Sequence, residues 1–368
     1  VQVDGQLVDF SRTLSELTIE FGELRPSADP LAIRVVYSGV PEPVIGPILG
    51  DIGWLDGPVG SYVVSEPTGT PTWFPVNDHP IDKATYTFVV TVPDGWEAVA
   101  NGQLVDEEVV DTGVTFTWEA KEPLAPYLAT IAVGQFEFTS EEGPNGVVIR
   151  HAFPPAQVAD ATFDFGRTAE MIDVFNKLFG PYPFEAYGAL VVDDVFNFAL
   201  EDQTFSVFTK QFVTGDRALE WIYAHELAHQ WFGDSVSVAD WSDIWLNEGF
   251  ATYAEQLWSE FDSGSDTNLA MDQMWQSSVG LGPPGSPGAD RLFATEVYDR
   301  GALALHALRL TVGDDPFFEI LSAWTDEYAY SNATTDDFIV LAERVSGQDL
   351  LELIDSFVYG ETLPPLPE

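Results

Sequence analysis

From His225 the chain reads HELAH, and after eighteen further residues, 230–247, a glutamate, Glu248, stands in the mostly apolar run WSDIWLNEGFATYAEQLW. On a helix each residue advances about 100°, so His225 and His229 share one face a turn apart, with Glu226 to the side. Two imidazoles so placed can converge on a metal ion, although HELAH alone also suits a polar helix face. Glu248 adds the discriminating feature, because a carboxylate in apolar surroundings is strongly unfavourable unless it is paired or bound to a metal. If the three are ligands, two helices must lie side by side, and no other stretch constrains the fold as tightly. His225, His229 and Glu248 would leave the fourth position of a tetrahedral zinc site for water or substrate, and Glu226 would stand beside that water.

The rest of the chain divides around this requirement. With 368 residues, it exceeds the roughly 250–300 at which single cores stop growing, so two domains are expected. Residues 1–144 read as strands: alternating stretches such as Tyr86-Thr-Phe-Val-Val-Thr-Val and Val114-Thr-Phe-Thr-Trp lie between turns such as Pro93-Asp-Gly and Asn101-Gly102. They predict a β-sandwich or saddle. The stretch Glu141-Glu-Gly-Pro-Asn-Gly is the expected boundary. Residues 145–368 then predict an α+β, mainly helical domain, with a helix over 156–179 stopped by Gly180-Pro181 and short strands at 188–193 and 203–213. Further helices are expected at 216–232, 241–261, 298–312, 316–328, 335–346 and 348–358, with a Gly- and Pro-rich loop at 280–288.

Composition narrows the partners. Lys plus Arg number 14 against 60 Asp plus Glu, a net charge of −46, and the lysines are Lys83, Lys121, Lys177 and Lys210 alone. Nucleic acid and anionic lipid would be repelled. A Lys-poor surface covered in carboxylates suits high ionic strength, where screening relieves self-repulsion. This points outside the cell or to the cell surface, or else to the cytoplasm of a salt-accumulating organism. No run reaches the roughly 20 apolar residues that span a bilayer. With no cysteine, metal ligands must come from His, Asp or Glu.

The segment HELAHQWFGDSVSVADWSDIWLNEGFATYAEQLW resembles the gluzincin aminopeptidases, the family of aminopeptidase N and leukotriene A4 hydrolase, whose pattern is HExxH, eighteen residues and a glutamate. Thermolysin-type endopeptidases space the third ligand by nineteen. The resemblance extends through Thr72–Leu104 in the β-domain, Leu178–Val192 at the entry to a thermolysin-like catalytic domain, and EVYDRGALALHALR, Glu296–Arg309. It implies one zinc ion per chain, peptide substrates with a free amino end, and hydrolysis by metal-activated water with Glu226 as general base. It further implies that Tyr298 donates to the oxyanion and that Glu201, with Ala199 and Phe198 beside it in FALED, contacts the substrate's amino end.

Departures from the family pattern set further expectations. Phe198 stands where the family has glycine, which would narrow the first pocket, and Asp202 stands where it has asparagine. The chain enters the β-domain partway and ends at LPPLPE without a large helical domain, so an open cleft is expected. Asp234 and Asp240 are candidates to orient the ligand imidazoles. His79, His151 and His306 read as structural, and Asn332-Ala-Thr334 matches a glycosylation acceptor. The competing readings are a zinc endopeptidase, an epoxide hydrolase and a non-catalytic peptide-binding module.

Overall fold

In the computed structural model, which describes residues 1–20, 22, 30–46 and 48–368, the β-rich first unit packs on a second unit built from a small sheet and a layer of helices. Two antiparallel sheets form the body of the first unit. One has the spatial order Glu97–Ala100, Ile131–Gly134, Gly60–Val64, Gly50–Gly57, Val44–Gly46. The other places Gly113–Leu124 between Gln103–Val110 and Ala84–Val92. Their inner faces share a core that includes Tyr62, Val64, Phe88, Phe116 and Trp118. The Trp118 indole N–H donates across it to the Ala98 carbonyl at 3.0 Å, so the polar edge of this large ring is satisfied.

The sheet of the second unit begins with the hairpin Glu137–Glu142 and Val148–Phe153, continued in parallel by Ala189–Val192 and Ser206–Thr209. The expected boundary at 144 thus falls on the turn of a hairpin whose two arms lie in one sheet. Alternation explains the near-continuous apolar run Ala189-Leu-Val-Val. Ala189 and Val191 join the helical core, while Leu190 and Val192 join the core of the β-domain. Both faces are therefore buried, as parallel strands require.

The helices are α1 (Val158–Asp164), α2 (Thr168–Phe179), α3 (Glu220–Ala228), α4 (Trp245–Ser263), α5 (Thr267–Ser278), α6 (Thr295–Val312), α7 (Asp314–Glu327), α8 (Thr335–Ser346) and α9 (Leu351–Val358). The single helix expected over 156–179 is broken between α1 and α2. There the buried Asp164 turns inward and accepts backbone N–H bonds from Thr214, Gly215 and Arg217 at 2.7, 2.8 and 2.9 Å. The break anchors the loop that leads into α3. The helix expected over 216–232 runs only from Glu220 to Ala228. Arg217 has φ +61° before it, and Gly233 has φ +134° after it.

Helix α5 lies outside the sequence expectation. Its residues have little apolar periodicity, and its start is fixed by Asp266, which accepts from the N–H groups of Asn268 and Leu269. The 280–288 stretch has no helix or strand, as expected. Among the described residues, no helix is long and apolar enough to cross a membrane.

Candidate active site

Helix α3 is covered on nearly every side, so the polar groups of His225 and Glu226 are carried into the interior by a helix with little amphipathic character. His229 follows the last helical residue but keeps right-handed helical dihedrals, φ −56° and ψ −26°. Its N–H bonds the His225 carbonyl at 3.2 Å. The two rings therefore stay one turn apart on one face. Glu248 arrives from the first turn of α4, whose first turn follows a short 3₁₀ segment at Trp241–Asp243.

Glu248 Oε2 lies 3.3 Å from His225 Nε2 and 3.4 Å from His229 Nε2. Ligand bonds of about 2.0–2.1 Å at tetrahedral angles put neighbouring donor atoms about 3.3 Å apart. The carboxylate thus stands from each imidazole at the spacing that zinc requires, and all three donors lie within 4.8 Å of one another. Burial would push the Glu248 carboxyl up, yet the two imidazoles beside it hold it down to about 2. It remains an anionic ligand.

The other ring nitrogens are engaged as ligand imidazoles need. His225 Nδ1 lies 2.7 Å from Glu255 Oε1, and His229 Nδ1 lies 3.1 Å from the Phe232 carbonyl. Each ring can donate its Nδ1–H there and leave Nε2 free for metal. Neither Asp234 nor Asp240 takes this place. Asp234 is buried beyond His229 and bonds its own N–H to the His229 carbonyl at 3.0 Å, while Asp240 accepts from the Ser242 N–H at 2.9 Å. Glu255 follows Glu248 by seven residues, two helical turns on one face. That spacing is the signal that could have found it.

Glu226 is buried beside the two rings. Burial pushes its carboxyl up to about 8, with His225 and His229 pulling the other way. A carboxyl that holds a proton this readily suits a group that must take one from water and return it. Tyr298, in the first turn of α6, stacks on His225 with ring centroids 6.0 Å apart. Burial and the surrounding carboxylates raise its phenol well above the ordinary value, so it stays a donor.

Helices α4 and α6 come this close because glycine faces glycine. A Cβ on Gly249 would stand 2.7 Å from the Gly301 backbone, and one on Gly301 would stand 2.8 Å from the Gly249 Cα. This crossing brings Glu248 and Tyr298 to one cleft.

The cleft, about 450 Å³, is lined by all the expected site residues: His225, Glu226, His229, Glu248, Glu201, Tyr298, Phe198 and Ala199. Glu201 ends a strand-like segment fixed by reciprocal bonds between Leu200 and Val207 at 2.9 and 2.7 Å. In such a pair the backbone groups of the flanking residues point the other way. The backbone groups of Ala199 therefore turn away from Val207, and Ala199 lines the cleft. The Glu201 carbonyl accepts from the Gln230 side chain at 2.9 Å, which ties the segment to the end of α3.

Sequence reasoning missed Glu66. It comes from the β-domain, is 3% exposed, and places a carboxylate oxygen within 4.8 Å of oxygens from Glu201 and Glu248. No motif marks it, because only the docking of the two units brings it here. Burial, then the neighbouring Glu201, Glu248 and Glu226, raise its carboxyl well above the usual range.

The remaining histidines hold structure. His151 accepts from the Ala189 N–H at 2.9 Å and stacks on Phe153. His306 lies 3.1 Å from the Tyr253 hydroxyl, and His79 accepts from the Ile81 N–H. Asn332 uses its amide internally, donating to the Pro80 and Val238 carbonyls at 3.0 and 2.9 Å.

Residues 163–357 match the Peptidase family M1 domain. The chain belongs to peptidase family M1. As a member of that family it is similar in structure to the M1 zinc metallopeptidase of Deinococcus radiodurans, in a mutant form bound to a Tyr-Ser-Ala substrate, with TM-score 0.92 and 34% identity over 100% of this chain and 85% of that one. In sequence it is 26% identical to Aminopeptidase M1 of Arabidopsis thaliana, covering 95% of this chain and 42% of the relative. It is 28% identical to glutamyl aminopeptidase of Bitis rhinoceros, covering 98% and 41%. The chain thus spans about two fifths of the length of these two relatives.

Proposed function

We propose that this chain is a zinc-dependent aminopeptidase that removes the first residue of peptides with a free amino end. The observation that carries this reading is the packing of two further buried carboxylates, Glu66 and Glu201, within 4.8 Å of each other and of the ligand Glu248. Like charges crowded in a dry cleft are unfavourable, and an ammonium group among them relieves the repulsion. A metal site with a cation trap at one fixed distance counts residues from the amino end.

His225, His229 and Glu248 would hold zinc, which when bound polarises the scissile carbonyl and acidifies water at the site. Glu226 takes the proton of the attacking water on its carboxylate and returns it to the leaving amine. The Tyr298 hydroxyl donates to the oxygen on which negative charge develops. Glu66 and Glu201 fix the substrate's α-ammonium, and the amide of Ala199 aligns its main chain. The Tyr-Ser-Ala peptide in the Deinococcus relative is consistent with such a substrate. The acidic surface suits work at high ionic strength, outside the cell or in a salt-rich cytoplasm.

The test is kinetic. Replacement Glu201→Gln is expected to lower kcat/KM for free-amino peptides by roughly 30-fold or more, the cost of about 2 kcal/mol for losing one partner of a buried charge pair. The preference over acetylated peptides should collapse with it. An unchanged preference would remove Glu201 from the amino-end role.

A further inference from the structure

The Asn101-Gly102 turn connects Glu97–Ala100 of one β-domain sheet to Gln103–Val110 of the other. Turns of this kind ordinarily face water, yet Asn101 is 0% exposed. Its Nδ2 donates to the Leu128 carbonyl at 2.8 Å and to the Gln203 carbonyl at 2.7 Å, and its Oδ1 accepts from the Thr130 N–H at 2.7 Å. A buried amide satisfied in this way has one orientation and fixes the segments it bonds.

These partners lead to both carboxylates that face the substrate's amino end. On the catalytic side, Gln203 belongs to a tight turn directly after Glu201, closed by the Phe205 N–H on the Asp202 carbonyl at 2.9 Å. The third residue of that turn, Thr204, has φ +68°, a conformation that suits glycine or asparagine and strains a β-branched residue. Thr204 is held there from two sides. Its N–H donates to Gln230 Oε1, and its hydroxyl oxygen accepts from the Gly102 N–H, both at 2.8 Å. Gln230 follows His229 directly, and its Nε2 donates to the Glu201 carbonyl. On the β-domain side, the Thr130 hydroxyl donates to the Val63 carbonyl at 2.8 Å, three residues before Glu66.

We infer that Asn101 is a positioning residue for the amino-end trap: through Gln203 and Thr130 its amide fixes the segments of Glu201 and Glu66 against each other. The one-residue count is then set jointly by this β-domain turn and by Gln230. The inference rests on the aminopeptidase reading, which supplies the ammonium that the two carboxylates hold. Asn101 lies outside the residues that line the cleft, so it acts through the spacing of Glu66 and Glu201. The strain at Thr204 marks where that spacing is enforced, because a turn free to relax would carry Glu201 away from its place relative to His229. Tolerances of about 0.5 Å decide whether such a constellation works.

The experiment compares two probes on the zinc-loaded full chain by titration calorimetry: the hydroxamate of leucine, and the same compound without its α-amino group. Both reach zinc through the hydroxamate, so the ratio of their Kd values reads the trap alone. In the wild type the amino compound should bind at least about 30-fold tighter. Asn101→Ala should reduce that ratio about fivefold or more, with the Kd of the desamino compound changed by less than about twofold. Thr204→Val keeps the shape of the side chain and removes only the acceptor of the Gly102 N–H. It should move the ratio in the same direction, and it decides the matter if Asn101→Ala does not fold. Asn332→Ala is the control, because Asn332 joins the two units elsewhere through Pro80 and Val238; its loss should leave the ratio intact.

An unchanged ratio in Asn101→Ala, or in Thr204→Val where the first variant does not fold, would overturn the inference and leave the aminopeptidase reading standing. Equal weakening of both probes, or an equal fall of the ratio in Asn332→Ala, would also overturn it, since a general structural role would then suffice. A wild-type protein that binds both probes equally would overturn the aminopeptidase reading and the inference together.

Discussion

At the scale of single residues, the site separates groups that hold metal from groups that move protons. Glu226→Gln keeps the shape of the side chain and removes its basicity, so kcat should fall by about 10²–10⁴-fold while metal analysis still finds one zinc per chain. Persisting turnover would assign the base elsewhere. Glu255 is hydrogen-bonded to His225 Nδ1, so Glu255→Ala should act through the metal and weaken zinc affinity by about 10–100-fold, measured by competition with a chelator. The contrast between Glu248 and Glu255 also shows what was legible. Glu248 was found because it completes a spacing pattern. Glu255 was legible only as a carboxylate two turns after Glu248 on one helix face, and Glu66 is sequence-remote from everything it meets.

At the scale of elements, the decisive contact is the crossing of α4 and α6, where Gly249 and Gly301 leave no room for a methyl group. Gly249→Ala would force the backbones apart at a cost of about 1–3 kcal/mol, visible as a lower melting temperature. It should also lower kcat, because the same crossing sets Glu248 against Tyr298. Full activity in a folded Gly249→Ala protein would contradict this coupling. Strand alternation and the long helices α4, α6, α7 and α8 could be read from apolar periodicity. Three boundaries could not be: tertiary bonds to Asp164 set the break between α1 and α2 and hold Arg217 before α3, and α5 starts at a local Asp266 cap on a helix with little apolar periodicity.

At the scale of the whole molecule, the two units meet at the active site. Glu66 reaches the cleft from the β-domain, and Lys83 donates to the Asp234 and Ser235 carbonyls at 2.9 Å each, just past the HELAH helix. The net charge of −46 opposes this compact arrangement, so the melting temperature should rise between low and molar salt as repulsion is screened. A fall would refute salt adaptation. Acid should act in part through His151, which burial pushes down to about 3, with Arg150 adding to the effect. Between the ordinary value near 6.5 and about 3, the unfolded chain binds a proton that the folded chain refuses. This stability is present above pH 6.5 and is lost as pH falls, and His151→Asn should flatten that slope in melting curves. The central claim is the amino-end count, and a mass-spectrometric time course tests it most directly, on one mixed-sequence peptide offered free and acetylated with zinc and ample salt. Stepwise loss of single residues from the free peptide alone is the predicted result; internal cuts in both forms would contradict it.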